Sequence, residues 1–91
     1  MKRIALTDDT GRWFDADKAE KFEGIKHDRY GEWLYFTASG KFILNSFTAY
    51  EGSIERYEEI NPERAAKWLV MNNVWDHVPA KAKEIIASLE I

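Results

Sequence analysis

The stretch WLYFTASGKFILNSFTAYEGSIERYEEI, residues 33 to 60, decides the fold. Three runs rich in aromatic and β-branched side chains, Trp33 to Thr37, Lys41 to Ala49 and Ser53 to Ile60, are separated by Ala38-Ser39-Gly40 and Tyr50-Glu51-Gly52. Such runs read as strands, because ring-bearing and branched side chains pack well on a pleated surface. Each separator ends in glycine, which suits a three-residue hairpin loop whose last residue takes positive φ and forms a bulge. The stretch therefore predicts an antiparallel meander. Three-residue loops place Phe36 opposite Phe42, Leu34 opposite Leu44, Thr48 opposite Ile54 and Phe42 opposite Ile60. One face then collects Leu34, Phe36, Phe42, Leu44, Ile54 and Ile60, which is a core. The other collects Trp33, Tyr35, Ile43, Phe47 and Tyr57 among Thr37, Lys41, Asn45, Glu55 and Glu59. A loop shorter by one residue would flip the parity and scatter both sets.

Toward the C-terminus, Asn61-Pro62-Glu63 is a helix start: asparagine caps, proline suits the first helical position and an early carboxylate meets the positive helix end. Ala65, Trp68, Leu69 and Asn72 follow helical spacing, and Asn72-Asn73 closes a helix over 62–73. Pro79 opens a last helix, with Val78, Ala82, Ile85, Ile86 and Leu89 on one stripe and Lys81, Lys83, Glu84 and Glu90 toward water. Toward the N-terminus, Arg3 to Thr7 reads as a strand that pairs at an edge of the sheet, and Arg12-Trp13-Phe14 as a second short strand. Asp15 or Asp17 caps a helix from Ala16 to Glu23 with Gly24 past its end, and Ile25 to Gly31 reads as a loop. The expected architecture is a single α+β domain over 1–91, a three- to four-stranded antiparallel meander packed with two or three helices.

Composition bounds the function. The 91 residues are 45% hydrophobic and 32% charged, ordinary for a folded domain, and thirteen aromatic rings (four Trp, four Tyr, five Phe) supply the bulk that so short a chain needs for a core. The net charge is −3. Basic and acidic side chains balance in residues 1–30 and again in 62–91, so the acid excess falls in the meander, where two basic residues face five acidic ones. No broad basic field is offered to phosphates, which makes nucleic acid an unfavoured partner. There is no cysteine, hence no thiol chemistry. The start MKRIALTDD lacks the apolar run of a secretory leader, and no stretch approaches the ~20 apolar residues of a membrane span, so the expected setting is the cytoplasm with no membrane association.

Four groups of residues invite a functional reading. The stripe of Trp33, Tyr35, Ile43, Phe47 and Tyr57 is either a binding surface, since aromatic side chains give large rigid contact, or an inner face covered by a helix. Asp8, Asp9, Asp15 and Asp17, with His27 and Asp28 further on, fit no calcium loop, and turn or capping roles account for the aspartates, so no metal is expected. His27 and His77 adjoin Asp28 and Asp76, but no nucleophile motif, phosphate loop or dinucleotide fingerprint accompanies them. No catalytic set, no cofactor and no small-molecule substrate is indicated. Trp68 and Leu69 on helix 62–73 read as core, with Met71 off the main stripe.

The segments GRWFD (11–15) and LYFTASGKFIL (34–44), the Gly52-Ser53 turn, and Tyr57, Ile60, Ala65, Ala66, Trp68, Leu69 and Asn72 resemble a set of short bacterial proteins associated with plasmids and phage-like elements. Those proteins carry tryptophans on the middle strand where this chain has Phe42, Phe47 and Tyr50. The resemblance supplies no catalytic residues and implies an accessory protein of a mobile element. Together these readings point to a non-catalytic protein-binding module whose partner is another protein or a second copy of itself. The alternative is a single-stranded nucleic-acid binder stacking bases on the same rings, with Lys41, Arg56 or the N-terminal third supplying charge.

Overall fold

The computed structural model describes residues 1–26, 29–48 and 55–91. In chain order the elements are β1 (Arg3–Ala5), β2 (Trp13–Asp15), β3 (Glu20–Glu23), β4 (Tyr30–Phe36), β5 (Phe42–Thr48), β6 (Arg56–Ile60), α1 (Pro62–Met71) and α2 (Ala80–Ser88). The α+β architecture is as expected, with an antiparallel sheet in the order β3-β4-β5-β6 and a separate β1-β2 hairpin. Among the described residues, no helix is long and apolar enough to cross a membrane.

The first hairpin of the meander closes as its sequence dictates. Gly40 sits at φ +84, Gly40 N–H donates to the Thr37 carbonyl, and Lys41 N–H donates to the Thr37 hydroxyl at 3.0 Å. Phe36 consequently pairs with Phe42 and Leu34 with Leu44, while the second hairpin brings Phe42 opposite Ile60. The expected Thr48–Ile54 pair and the Tyr50-Glu51-Gly52 loop lie outside the described residues. With this register Leu34, Phe42, Leu44 and Ile60 share one face and are buried against α1 and α2.

α1 begins as read: Asn61 Oδ1 accepts from Arg64 N–H at 2.7 Å, and Pro62 takes the first helical position. Its stripe of Ala65, Trp68 and Leu69 is buried, whereas Met71 is 77% exposed. α2 follows Pro79, with Val78 and Ala82 buried and Ile85 and Ile86 packed on the same core. Leu89, expected on that stripe, lies beyond the last turn and is exposed.

Three expectations are corrected. The loop read over Ile25 to Gly31 ends early, because Tyr30 and Gly31 already pair with Thr48 and Phe47 as the start of β4. Residues 16–23 are not a helix: a turn held by Asp15, whose Oδ1 accepts from Asp17 N–H at 3.0 Å, leads into strand β3. A lone eight-residue helix gains little by itself. As a strand, Glu20–Glu23 pairs with β4 along its outer edge and buries Phe22 between exposed Lys21 and Glu23. Gly24 is then required by close approach, since a Cβ there would lie 2.6 Å from the Glu32 carbonyl oxygen and 2.9 Å from the Trp68 ring. The strand opened by Arg3 also does not join the meander as a sheet strand. It pairs with β2, Ile4 opposite Phe14, and the hairpin lies across the second face of the sheet. The layers are therefore helix pair, sheet and hairpin.

Candidate binding cleft on the second sheet face

The register lines up side chains of the second face in rows across the strands. Lys21, Tyr35, Ile43 and Glu59 form one row; Glu23, Trp33, Asn45 and Tyr57 form the next; Gly31 and Phe47 begin a third. The hairpin covers the first row. Leu6 and Phe14 pack on Tyr35 and Ile43, which are 5% and 3% exposed. Thr7 fastens the cover to β6, its N–H donating to the Tyr57 carbonyl at 2.8 Å and its hydroxyl accepting from Tyr57 N–H at 3.1 Å, and Arg12 pairs with Glu59 at 2.6 Å.

The remaining rows stay open. Trp33, Phe47 and Tyr57 are half-buried and wall a cleft of about 590 Å³ whose rim carries Lys2, Lys21 and Glu55, with Tyr35 and Asn45 beneath. Of the five residues assigned from sequence, three thus line the cleft as accessible rings, Tyr35 contributes to its floor, and Ile43 belongs to the cluster under the hairpin. The covering element anticipated for this face is a hairpin rather than a helix, and it is too short to cover all of it.

Each ring is held. Phe14, Tyr35 and Tyr57 form a tilted trio with centroid separations of 5.1, 6.3 and 6.5 Å, the offset arrangement that ring quadrupoles favour. Phe47 lies over Gly31, where a Cβ would stand 2.6 Å from its ring, so the glycine opposite is what lets the phenyl lie down across the strand. Trp33 carries the Lys21 ammonium 3.0 Å from its ring centroid, and Tyr35 lies 5.5 Å from the same charge.

The polar groups are ordered too. Buried Asn45 donates from Nδ2 to Glu55 Oε1 at 3.1 Å and to the Arg56 carbonyl at 2.9 Å, and the Tyr57 hydroxyl donates to the same Glu55 oxygen at 3.0 Å. Burial, reinforced by this carboxylate, pushes the Tyr57 phenol up and does the same to Tyr35. Burial also draws the Lys21 ammonium down, and the Lys2 charge adds to the effect. Asn45 and Glu55 lie on the face where the strand register puts them, whereas the sequence pattern does not place Lys2 and Lys21 there. Lys21 was assigned to a helix; the alternation Glu20-Lys21-Phe22-Glu23 was the available signal for a strand.

The other candidates resolve into local roles. Asp8 Oδ1 accepts from Thr10 N–H and hydroxyl, which makes it a turn residue. Asp15 holds the turn before β3. His77 is exposed at φ +59 between the helices, and His27 and Asp28 lie outside the described residues. Among the described residues no three His, Asp or Glu side chains gather as metal ligands. A smaller apolar hollow of about 310 Å³ opens between Val70, Trp75, Ile86 and Leu89. The main cleft offers ring faces, two ammonium groups and an internally bonded carboxylate. No protein-family model, no curated sequence and no solved structure matches the chain.

Proposed function

We propose that this protein is a non-catalytic binding module that captures a segment of a protein partner in the cleft formed by Trp33, Phe47 and Tyr57. The supporting observation is the contrast within one face: the chain's own hairpin covers Tyr35 and Ile43 but leaves the neighbouring rings half-buried in an ordered cleft. Rigid rings in a preformed hollow gain contact area at small entropic loss, which is the usual character of an interface centre. The cleft's size also lies in the range that buries a few side chains of a ligand. The resemblance in GRWFD and LYFTASGKFIL supports an accessory role in the cytoplasm of a bacterium carrying a mobile element, with a second copy of the chain as one candidate partner.

A single-stranded nucleic acid is the competing occupant, favoured by Lys2 and Lys21 beside stackable rings. It is the weaker reading, because Glu55 repels a phosphate chain and the chain as a whole carries a net charge of −3. The test is selection from a displayed random-peptide library on the full chain. Wild type enriches a consensus, and the double variant Trp33→Ala, Phe47→Ala loses it while keeping its circular dichroism spectrum and cooperative melt. Enrichment unaffected by the double variant rejects the cleft, and retention of oligo-dT in place of peptides installs the competing occupant.

A further inference from the structure

Resting on the cleft reading above, we propose that the captured segment carries an aspartate or glutamate flanked by apolar residues, its carboxylate held by Lys2 and Lys21 and its apolar neighbours laid on Trp33, Phe47 and Tyr57. The charged groups of the cleft differ in which are already engaged in short polar contacts. Glu55 is spoken for, since its Oε1 already accepts from both Asn45 and Tyr57. The two lysines are not: Arg12, Lys26, Arg64 and Lys67 each form an ion pair, whereas neither Lys2 nor Lys21 does among the described residues. Both ammonium groups line the same hollow, where the Lys2 charge works against that of Lys21 while Glu23 and Glu55 favour it. An anion placed between them meets two ammonium donors at once.

The ring contact orients the site. An ammonium carries three N–H donors, so Lys21 has donors for a carboxylate while it keeps its contact with the Trp33 ring. Two cations and one engaged carboxylate leave a single net positive charge, which matches one acidic side chain better than a phosphodiester track, whose charges recur along the strand.

The experiment reads the chemistry of the enriched peptides and then their binding as synthetic peptides by calorimetry. Asp or Glu should dominate one consensus position, with its Asn or Gln isostere binding about tenfold more weakly, the loss of one charge-assisted contact. Lys2→Gln and Lys21→Gln should each weaken the acidic peptide by a similar factor and leave the isostere unchanged. Glu55→Gln should strengthen it severalfold, because the amide oxygen still accepts from Asn45 and Tyr57 while the repelling charge is gone. A consensus without acid, indifference to both lysine variants, or weakened binding in Glu55→Gln overturns the acidic-segment proposal and leaves cleft capture standing. Failure to enrich any peptide dependent on Trp33 and Phe47 overturns the capture reading, and this proposal with it.

Discussion

The two faces of the four-stranded sheet are finished by different means. On the first, α1 and α2 lay a continuous apolar surface over Leu34, Phe42, Leu44 and Ile60, and Leu34 and Leu69 have no exposure left. On the second, a hairpin built from two three-residue strands covers one row of side chains and stops. The difference is one of reach. Two helices together span the sheet, while strands of this length extend only about 10 Å at some 3.3 Å per residue. The uncovered rows are left with rings and a buried asparagine, bordered by the Lys2 and Lys21 ammonium groups, and the proposed capture site lies there.

The largest effects expected from substitution test this asymmetry. Leu34→Ala should lower stability by about 3–5 kcal/mol, because a fully buried leucine leaves a cavity among residues of both helices. Ile43→Ala, on the opposite face under the hairpin, should cost about 2–3 kcal/mol, since the smaller cluster around it yields more readily. Urea denaturation of the two variants checks the ranking; equal losses would show that the hairpin is as integral to the fold as the helix pair. A gentler probe is Gly31→Ala. Its new Cβ meets only the tip of the Phe47 side chain, which rotates away, so stability should change by less than about 1 kcal/mol while peptide capture in the cleft falls.

The smallest effect concerns alkaline pH. Tyr30 is pushed up to about 12, chiefly by burial and further by its hydrogen bond to Glu32, and Tyr35 and Tyr57 are raised by burial beside Glu55. In the unfolded chain these phenols ionise near 10. Above that pH the folded state therefore holds more protons than the unfolded one. Their contribution to stability is present in full below pH 10 and is lost as pH rises through the folded values. Denaturation midpoints should fall between pH 9 and about 12. In Tyr57→Phe the decline should be shallower, because one raised phenol is removed.

What the sequence disclosed and what it hid follow a physical line. β4, β5 and the Ala38-Ser39-Gly40 loop were legible because alternation and a positive-φ glycine are local signals, and they fixed which face carries Trp33, Phe47 and Tyr57. α1 was legible for the same reason, from Asn61-Pro62-Glu63. β3 was not. Ala16 to Glu23 is composed largely of residues that favour helices, and only pairing with the edge of β4, the next element along the chain, makes a strand the better solution. The cleft's charge was hidden with it, because Lys21 travels on β3 and Lys2 on a hairpin whose docking depends on Tyr57, fifty residues from Thr7.

The strand order also leaves the sheet with two unlike margins. Along β6, Thr7 occupies the main-chain groups of Tyr57 that would otherwise solicit another strand. Along β3 no neighbour follows in the sheet among the described residues, and exposed Glu20, Lys21 and Glu23 stand at that border instead. Charged side chains there discourage edge-to-edge stacking of copies, so one border is closed by the chain itself and the other by repulsion. Substitution of Glu20 and Glu23 by valine should therefore promote edge-to-edge aggregation along that border, which thioflavin fluorescence and light scattering would check.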